Sequence, residues 1–266
     1  MWERRAILEC VINVSEGRRA EVVDALVLAA GGALLDLHSD ADHNRSVLTL
    51  AGPDVEPAAR RVAGTAVEHV DLRVHEGVHP RFGAVDVVPF VPLFDTPMDD
   101  AVAARDRFSE WAHDVLGLPC LRYGPDAVSL PELRRTATTV DGHPTAGMCA
   151  VGARPLMVAY NVWLAEPDVG VARAVAAELR GPSVRALGFA VGDAAQVSCN
   201  LIAPDEFGPA AAYDAVATRT EVARAELVGL VPDSVLAAIP AERWAQLDLD
   251  RSRTIEARLE RAGFHE

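Results

Sequence analysis

Lysine is absent from this sequence: all 25 cationic residues are arginine, and they face 39 aspartates and glutamates, for a formal net charge of -14. The absence excludes a Schiff-base lysine, a lysine general base and the lysine of a nucleotide-binding P-loop. The acidic balance, without any long run of arginines, also argues against nucleic acids and anionic membranes as partners. Phosphate or carboxylate groups of a ligand must therefore be bound by arginine or by backbone N–H groups.

Cysteines are few, and long apolar runs are missing. Cys10, Cys120, Cys149 and Cys199 are far apart and form no CxxC pair, which predicts reduced, mostly buried thiols in a cytoplasmic protein rather than a disulfide framework or zinc cluster. No run approaches the roughly 18 apolar residues of a membrane span. Residues 1–5 are not followed by the apolar stretch of a signal peptide, so we expect neither secretion nor membrane insertion.

Hydrophobic periodicity indicates that one order of elements occurs twice: strand, helix, strand, strand, helix, strand. In the first half the strands are predicted at 6–14, 33–37, 46–50 and 86–94, with helices at 20–30 and 55–69. In the second half the strands are predicted at 156–164, 184–191, 195–202 and 227–231, with helices at 169–179 and 209–224. This order is that of a ferredoxin-like unit. We therefore predict an α+β protein of two ferredoxin-like (βαββαβ) subdomains, residues 1–150 and 151–266, with stacked sheets and helices outside.

Three further segments complete the predicted organisation. A helix at 98–116 and a strand at 120–123 extend the first half, and a helical tail at 233–263 carries Trp244 as a packing anchor. Residues 124–152 are rich in Pro, Gly, Thr and Arg and have weak periodicity, so we predict a long ordered loop. Long loops in compact domains are commonly functional.

Residues 75–79 spell HExxH, which on a helix binds zinc through two histidines and supplies a glutamate base. Two neighbours oppose a helix here: Gly77 disfavours it by roughly 1 kcal/mol, and Pro80 moves the preceding residue out of the α region. We therefore predict a nonhelical turn before a strand, and the metalloprotease hypothesis ranks last.

Histidines cluster in polar, loop-like segments. Five of the eight are of this kind: His38, His43, His75, His79 and His143. An imidazole titrates near neutral pH and suits proton transfer, which makes these residues candidates for acid–base chemistry.

A series of motifs spans nearly the whole chain. They are residues 9–17 (ECVINVSEG), 34–36, 42–47 (DHNRSV), 75–90 (HEGVHPRFGAVDVVPF), 122–124, 143–147 (HPTAG), 151–154, 159–161, 196–201 (QVSCNL) and 227–232. In this order they closely resemble the formiminotransferase family, the glutamate formimidoyltransferases. This resemblance is far more specific than HExxH.

The resemblance implies an enzyme that moves a formimidoyl group from N-formimino-L-glutamate to N5 of tetrahydrofolate, its cosubstrate. It also implies that folate binds in a tunnel between two α/β subdomains and that no metal takes part. His79 aligns with the family's catalytic proton carrier, and one imidazole is able to take the proton from N5 and return it to the departing glutamate nitrogen. A homodimer active in one-carbon metabolism and histidine catabolism is expected by analogy.

The resemblance and the residue chemistry together define a candidate site. The catalytic candidates are His79, Arg81 and Asp86, where Asp86 orients a histidine or an arginine. The substrate-binding candidates are Asn13, Ser15, Glu16, His38, Asp40, His43, Arg45 and His75. The folate-binding candidates are Gly142, His143, Pro144, Thr145, Ala146 and Gly147 in one segment and Val184, Arg185, Ala186, Leu187 and Gly188 in another.

Some of these residues have a second interpretation. Arg45 and Arg81 are the best placed bidentate ligands for the donor's carboxylates, although each also suits a structural ion pair. Ser15 or Glu16 instead suits the N-terminal cap of the first helix.

Two alternatives to the leading function remain open. The segments before Asp141 and before Val184 are shorter than in many members of the family, which allows a different one-carbon donor or acceptor, such as a formyl donor. A noncatalytic folate-binding module of the same fold is the other alternative.

Overall fold

Two sheets, of six and four strands, organise the chain. A computed structural model describes residues 6–77, 81–136 and 142–264. The sheets lie in separate units, Met1–Pro155 and Leu156–Glu266.

Unit 1 is built on a six-stranded sheet with strand order β2-β3-β1-β4-β6-β5. Its elements are β1 (Leu8–Val14), α1 (Ala20–Ala30), β2 (Leu34–Asp40), β3 (Arg45–Gly52), α2 (Val55–His69), β4 (Val85–Pro92), α3 (Met98–Leu116), β5 (Cys120–Tyr123), α4 (Leu130–Thr136) and β6 (Cys149–Ala153). β4, β6 and β5 pair in parallel, whereas β1, β2 and β3 pair antiparallel.

The core of unit 1 follows from the alternation of its strands. Leu8, Cys10, Ile12 and Val14 of β1 are buried in one cluster with the apolar faces of α1, α2 and α3. Since successive strand residues point to opposite faces, the residues between them lie on the other face of the sheet. Helix α4 packs on that other face, which we call the site face.

Unit 2 repeats the arrangement with four antiparallel strands in the order β10-β7-β9-β8. Its elements are β7 (Val158–Leu164), α5 (Val169–Leu179), β8 (Val184–Val191), β9 (Ala194–Leu201), α6 (Pro209–Ala217), β10 (Val222–Val228), α7 (Asp233–Ala237) and α8 (Ile255–Arg261). If the four strands of unit 2 are numbered along the chain, their order in the sheet is fourth, first, third, second. The first four strands of unit 1 have the same order, β4-β1-β3-β2. The predicted pair of ferredoxin-like units is thereby confirmed.

Three sequence predictions were wrong in detail. The predicted loop at 124–152 contains α4 and β6, and the helix predicted to reach residue 224 ends at Ala217, so β10 starts five residues earlier than predicted. The tail is less helical than predicted, with short helices and 3-10 turns. Trp244 does pack against the core of unit 2.

Candidate active site

The end of strand β1 is joined to the segment that precedes β4. The N–H of Ser15 donates to the carbonyl of Ala84 at 2.8 Å, and its hydroxyl donates to the carbonyl of Gly83 at 2.8 Å. Ser15 therefore fixes the backbone a few residues after His79, although its side chain is buried.

The carboxylate of Glu16 stabilises the turn that leads into helix α1, whose N-cap residue is Arg19. One carboxylate oxygen accepts the N–H groups of Arg18 and Arg19, both at 2.9 Å, and the other accepts the Arg19 guanidinium at 2.6 Å. Burial raises the pKa of Glu16, but these hydrogen bonds outweigh it and hold the pKa below its ordinary value. The predicted side-chain cap by Ser15 or Glu16 is therefore wrong, because Glu16 binds N–H groups that precede the helix.

The turn between β2 and β3 is stabilised by its own side chains. Asp40 accepts the backbone N–H of His43 at 2.7 Å and its ring Nδ1 at 2.9 Å. Burial raises the pKa of Asp40, but the hydrogen bonds from His43 more than offset it, so the pKa lies well below the usual range. His43 is buried and oriented by this carboxylate.

Asn44 joins three segments, although sequence analysis gave it no role. Its backbone is left-handed, with φ of 47°, a conformation that Asn tolerates. Its side-chain oxygen accepts the N–H of Gly17 at 3.0 Å, and its side-chain nitrogen donates to the carbonyl of Glu76 at 2.8 Å. Its position in a polar turn, between the candidate residues His43 and Arg45, was the feature of the sequence that could have identified it.

His75 and Gly77 have no helical structure, as predicted. The Nε2 of His75 lies 3.2 Å from the carbonyl of Asn44, and its Nδ1 is bonded by the Arg81 guanidinium. Both ring nitrogens therefore have partners within the protein, and residues 75–77 lack the helix on which HExxH binds zinc. Burial lowers the pKa of His75, and the charge of Arg81 lowers it further.

His79 and Pro80 lie outside the described residues, but both ends of their segment are fixed. Arg81 donates to the carbonyl of Gly77 at 2.5 Å and so links the two ends. A Cβ added to Gly77 would lie 2.5 Å from the carbonyl oxygen of His43, so the loop packs closely on the β2–β3 turn.

Asp86 occupies a β-bulge. Asn13 pairs with Val87 and Val14 pairs with Val85, which leaves Asp86 without an opposite residue on β1. Bulges redirect side chains and often lie beside active sites. The buried carboxylate of Asp86 accepts the N–H of Phe82 at 2.6 Å and the guanidinium of Arg134 at 2.7 Å.

Strand pairing brings several candidate residues to the site face. His38 lies opposite Val47, Val47 lies opposite Asn13, and Asp40 lies opposite Arg45. Residues directly opposite each other in a sheet share a face, so these polar side chains share the site face.

Arg45 lies near two carboxylates, of Asp40 and Asp86, and one guanidinium, of Arg134. Burial lowers its pKa, the carboxylates of Asp86 and Asp40 oppose that shift, and the neighbouring guanidinium of Arg134 adds to it. Predicted residues Asp40, Arg45 and Asp86 are therefore brought together, along with Arg134, which sequence analysis did not select.

The first predicted folate segment, residues 142–147, is a turn paired with the backbone that follows His79. The N–H of Ala84 donates to the carbonyl of Ala146 at 2.8 Å, and Gly83 pairs with Gly147. His143 Nδ1 accepts the N–H of Ala146 at 3.1 Å. Thr145 is half-buried, whereas Gly142 and Pro144 are exposed.

The second predicted folate segment, Val184 to Gly188, lies in strand β8 of unit 2. Val184 and Ala186 belong to the buried core, and a Cβ on Gly188 would collide with the backbone of helix α5. The exposed side chains of this segment are Arg185 and Leu187, and Leu187 is 52% exposed. Val184, Ala186 and Gly188 therefore pack within unit 2, whereas the side chains of Arg185 and Leu187 are accessible.

Comparison with known proteins agrees with this arrangement. Residues 7–154 match the family described as formiminotransferase domain, N-terminal subdomain. The chain therefore belongs to the formiminotransferase family, as the motifs predicted.

Individual relatives are similar over most of the chain. It is 35% identical over 272 residues to glutamate formimidoyltransferase of Streptococcus pyogenes serotype M1, which covers 89% of this chain and 90% of that protein. It is 32% identical over 301 residues to glutamate formimidoyltransferase of Thermoplasma acidophilum, covering 97% and 98% respectively. It is also 32% identical to formimidoyltransferase-cyclodeaminase of Sus scrofa, over 85% of this chain and 50% of that protein.

Two kinds of feature are absent from the part of the chain that the structure describes. Within the described ranges, no group of three or more His, Cys, Asp or Glu residues is arranged to hold a metal ion. Of the helices in the same ranges, none has the length and apolar character needed to cross a membrane.

Proposed function

We propose that the protein is a glutamate formimidoyltransferase, which moves the formimidoyl group of N-formimino-L-glutamate to N5 of tetrahydrofolate. The observation that carries the proposal is the similarity to two proteins of that name, over 89% and 97% of the chain. The hydrogen bonds made by the residues on either side of the His79 segment support it.

His79 is the proposed general acid and base. N5 of the pterin attacks the formimidoyl carbon and forms a tetrahedral adduct, and His79 takes the proton that N5 loses. The same imidazole then returns that proton to the glutamate nitrogen as the C–N bond to the donor breaks. The hydrogen bond from Arg81 to Gly77, across the segment that contains His79, supports a role for Arg81 in shaping this loop.

Arg45 is the proposed ligand for a donor carboxylate, with Asn13 and His38 on the same face. Arg81 is a weaker candidate for this role than sequence analysis suggested, because its guanidinium binds His75 and Gly77. Asp86, Asp40 and His43 are proposed to orient these groups rather than to react.

Tetrahydrofolate is the proposed cosubstrate. The pairing of residues 142–147 with the backbone that follows His79 supports a pterin site there. Arg185 and Leu187 are the proposed side-chain contacts from the second segment, since its other members face the core of unit 2 or helix α5.

We further propose that residues 1–150 and 151–266 are the two formiminotransferase subdomains of a cytoplasmic homodimer in one-carbon metabolism and histidine catabolism. The family match over residues 7–154 supports the first subdomain. The four free cysteines are compatible with a reducing compartment. Size-exclusion chromatography with light scattering tests the homodimer.

The direct test is turnover of tetrahydrofolate with formimino-glutamate, followed as the absorbance of the methenyl product after acidification. His79→Ala should reduce the rate by about 100-fold or more while the circular dichroism spectrum stays unchanged. His113→Ala is the matched control, because that side chain is 73% exposed on α3.

Other outcomes would replace the proposal. Turnover only with a formyl donor would move the reaction to another one-carbon donor. Tight folate binding without turnover on any formimidoyl or formyl donor would identify a binding module.

A further inference from the structure

Helix α4 carries a cation onto the site face of unit 1. Leu133 packs in a buried cluster with Val87, Tyr123 and Ala150, which seats the helix on the sheet. The next residue, Arg134, approaches Asp86 to 2.7 Å; the side chains are 26% and 2% exposed. A buried carboxylate needs a cation or hydrogen-bond donors to compensate its desolvation, and Arg134 supplies the cation.

The same guanidinium also contacts the ring of Phe82. The Cζ atom of Arg134 lies 4.7 Å from the centre of that ring, within the range of a cation–π contact. The N–H of Phe82 donates to Asp86 at 2.6 Å, and its carbonyl accepts the N–H of Met148 at 3.1 Å. Arg134 thus contacts both the ring of Phe82 and the carboxylate that binds its backbone.

Phe82 lies three residues after His79 in the sequence. Three Cα–Cα steps span at most about 11 Å, so whatever fixes the backbone of Phe82 restricts the positions open to His79. A misplacement of about 1 Å can lower a rate by about 100-fold.

We infer that Arg134 is a positioning residue for the reaction of His79: by binding the carboxylate of Asp86 and covering the ring of Phe82, it fixes the backbone three residues after His79. The catalytic part of this inference rests on the proposed function. Because Arg134 acts through Asp86 and Phe82 rather than on the substrate, its loss should affect kcat more than KM.

Kinetics of three variants test the inference. Arg134→Gln should lower kcat by about 10-fold to 100-fold and change KM by less than about twofold. Arg134→Lys should restore part of kcat, because it returns the charge without the planar guanidinium. Arg135→Gln is the matched control: its side chain is 76% exposed and lies 4.0 Å from Glu132, so its kcat should equal that of the wild type.

Amide hydrogen exchange gives a readout that does not depend on turnover. Exchange at residues 82–84 should accelerate in Arg134→Gln and stay unchanged in Arg135→Gln. If the wild type shows no turnover, the proposed function fails, while exchange still decides whether Arg134 holds this segment.

Two results would overturn the inference. Unchanged exchange in Arg134→Gln would show that Arg134 does not hold the segment, and a raised KM with unchanged kcat would show that it contacts the substrate instead. If Arg134→Gln fails to fold, the same measurements on Arg134→Lys decide. A double variant with Asp86→Asn should lose no more kcat than the more affected single variant, because the two residues act as one unit.

Discussion

The four strands common to the two units share an order and a bulge, and the connection that differs most in length joins the second helix to the fourth strand. In unit 1 the link from the second helix to the fourth strand is fifteen residues, 70–84, whereas the corresponding link in unit 2 is four residues, 218–221. The long link contains His75 and His79. The candidate histidines of unit 1 therefore lie in a longer connection, while the four strands common to both units have the same order.

The bulge sharpens this comparison. Pairing is interrupted between Asn13 and Val14 in unit 1 and between Val222 and Arg224 in unit 2, so Asp86 and Ala223 are the residues left over at equivalent positions. The backbone irregularity is common to both units, and the carboxylate is found in unit 1.

The largest effect on stability should come from Asp86→Asn. The change leaves Arg134 beside a neutral amide, and breaking a buried ion pair costs about 3–5 kcal/mol. Ala223→Ser at the equivalent, exposed position of unit 2 should change the free energy of unfolding by less than about 0.5 kcal/mol. Chemical denaturation measures both, and equal effects at the two bulges would contradict a special role for Asp86.

Gly83→Ala should cause the next largest loss of stability. A Cβ at this position would collide with the carbonyl oxygen of Met148 and lie 2.6 Å from that of Ala146. We expect a loss of about 1–3 kcal/mol together with reduced turnover, since residues 142–147 would be displaced. Gly64→Ala is the control in helix α2, where no atom lies within 4 Å; it should raise stability by about 0.5–1 kcal/mol. Thermal denaturation distinguishes the two signs.

Acidification should loosen the long connection in unit 1. The pKa of His75 is lowered in the folded protein, first by burial and then by Arg81. The neutral, bonded imidazole therefore contributes stability that is fully present above its ordinary pKa of about 6.5 and is lost as the pH falls through the lowered value. NMR titration in the folded state and in urea measures both pKa values. A folded pKa above that in urea would refute this assignment.

The smallest effect is expected in unit 2, opposite the bulge. Where unit 1 has Asn13, unit 2 has Trp163, whose Nε1 donates to Glu226 at 2.9 Å and whose ring lies 4.2 Å from the Arg224 guanidinium. Trp163→Phe removes the N–H donor and should cost about 1.5 kcal/mol, because the hydrogen bond that is lost goes to a carboxylate. Trp244→Phe, which loses a bond to the neutral carbonyl of Ile239, should cost about 1 kcal/mol or less. Urea denaturation tests this order.

Sequence analysis predicted most elements because their hydrophobic periods are clear. Helices 20–30, 55–69, 98–116 and 169–179 have the predicted bounds. Strand β6 was missed because it is parallel, central and buried on both faces, so Cys149–Ala153 shows no alternation. Strand β10 was predicted late because its Ala, Arg and Glu residues favour helices, and tertiary pairing overrides that preference.

The site was predicted in part. Asp40, Arg45 and Asp86 were selected from motifs, and the structure brings them together. Asn44 and Arg134 were missed because their roles depend on contacts 27 to 48 residues away in sequence. Glu16 was selected as a substrate-binding candidate, but its carboxylate binds the backbone N–H groups of Arg18 and Arg19 in the turn before α1.

The hydrogen bond from the Arg81 guanidinium to the carbonyl of Gly77 closes residues 77–81 into a noncovalent ring. Loss of the Arg81 bond would remove this restraint, and a protease would detect the change as a new cleavage site between residues 77 and 81.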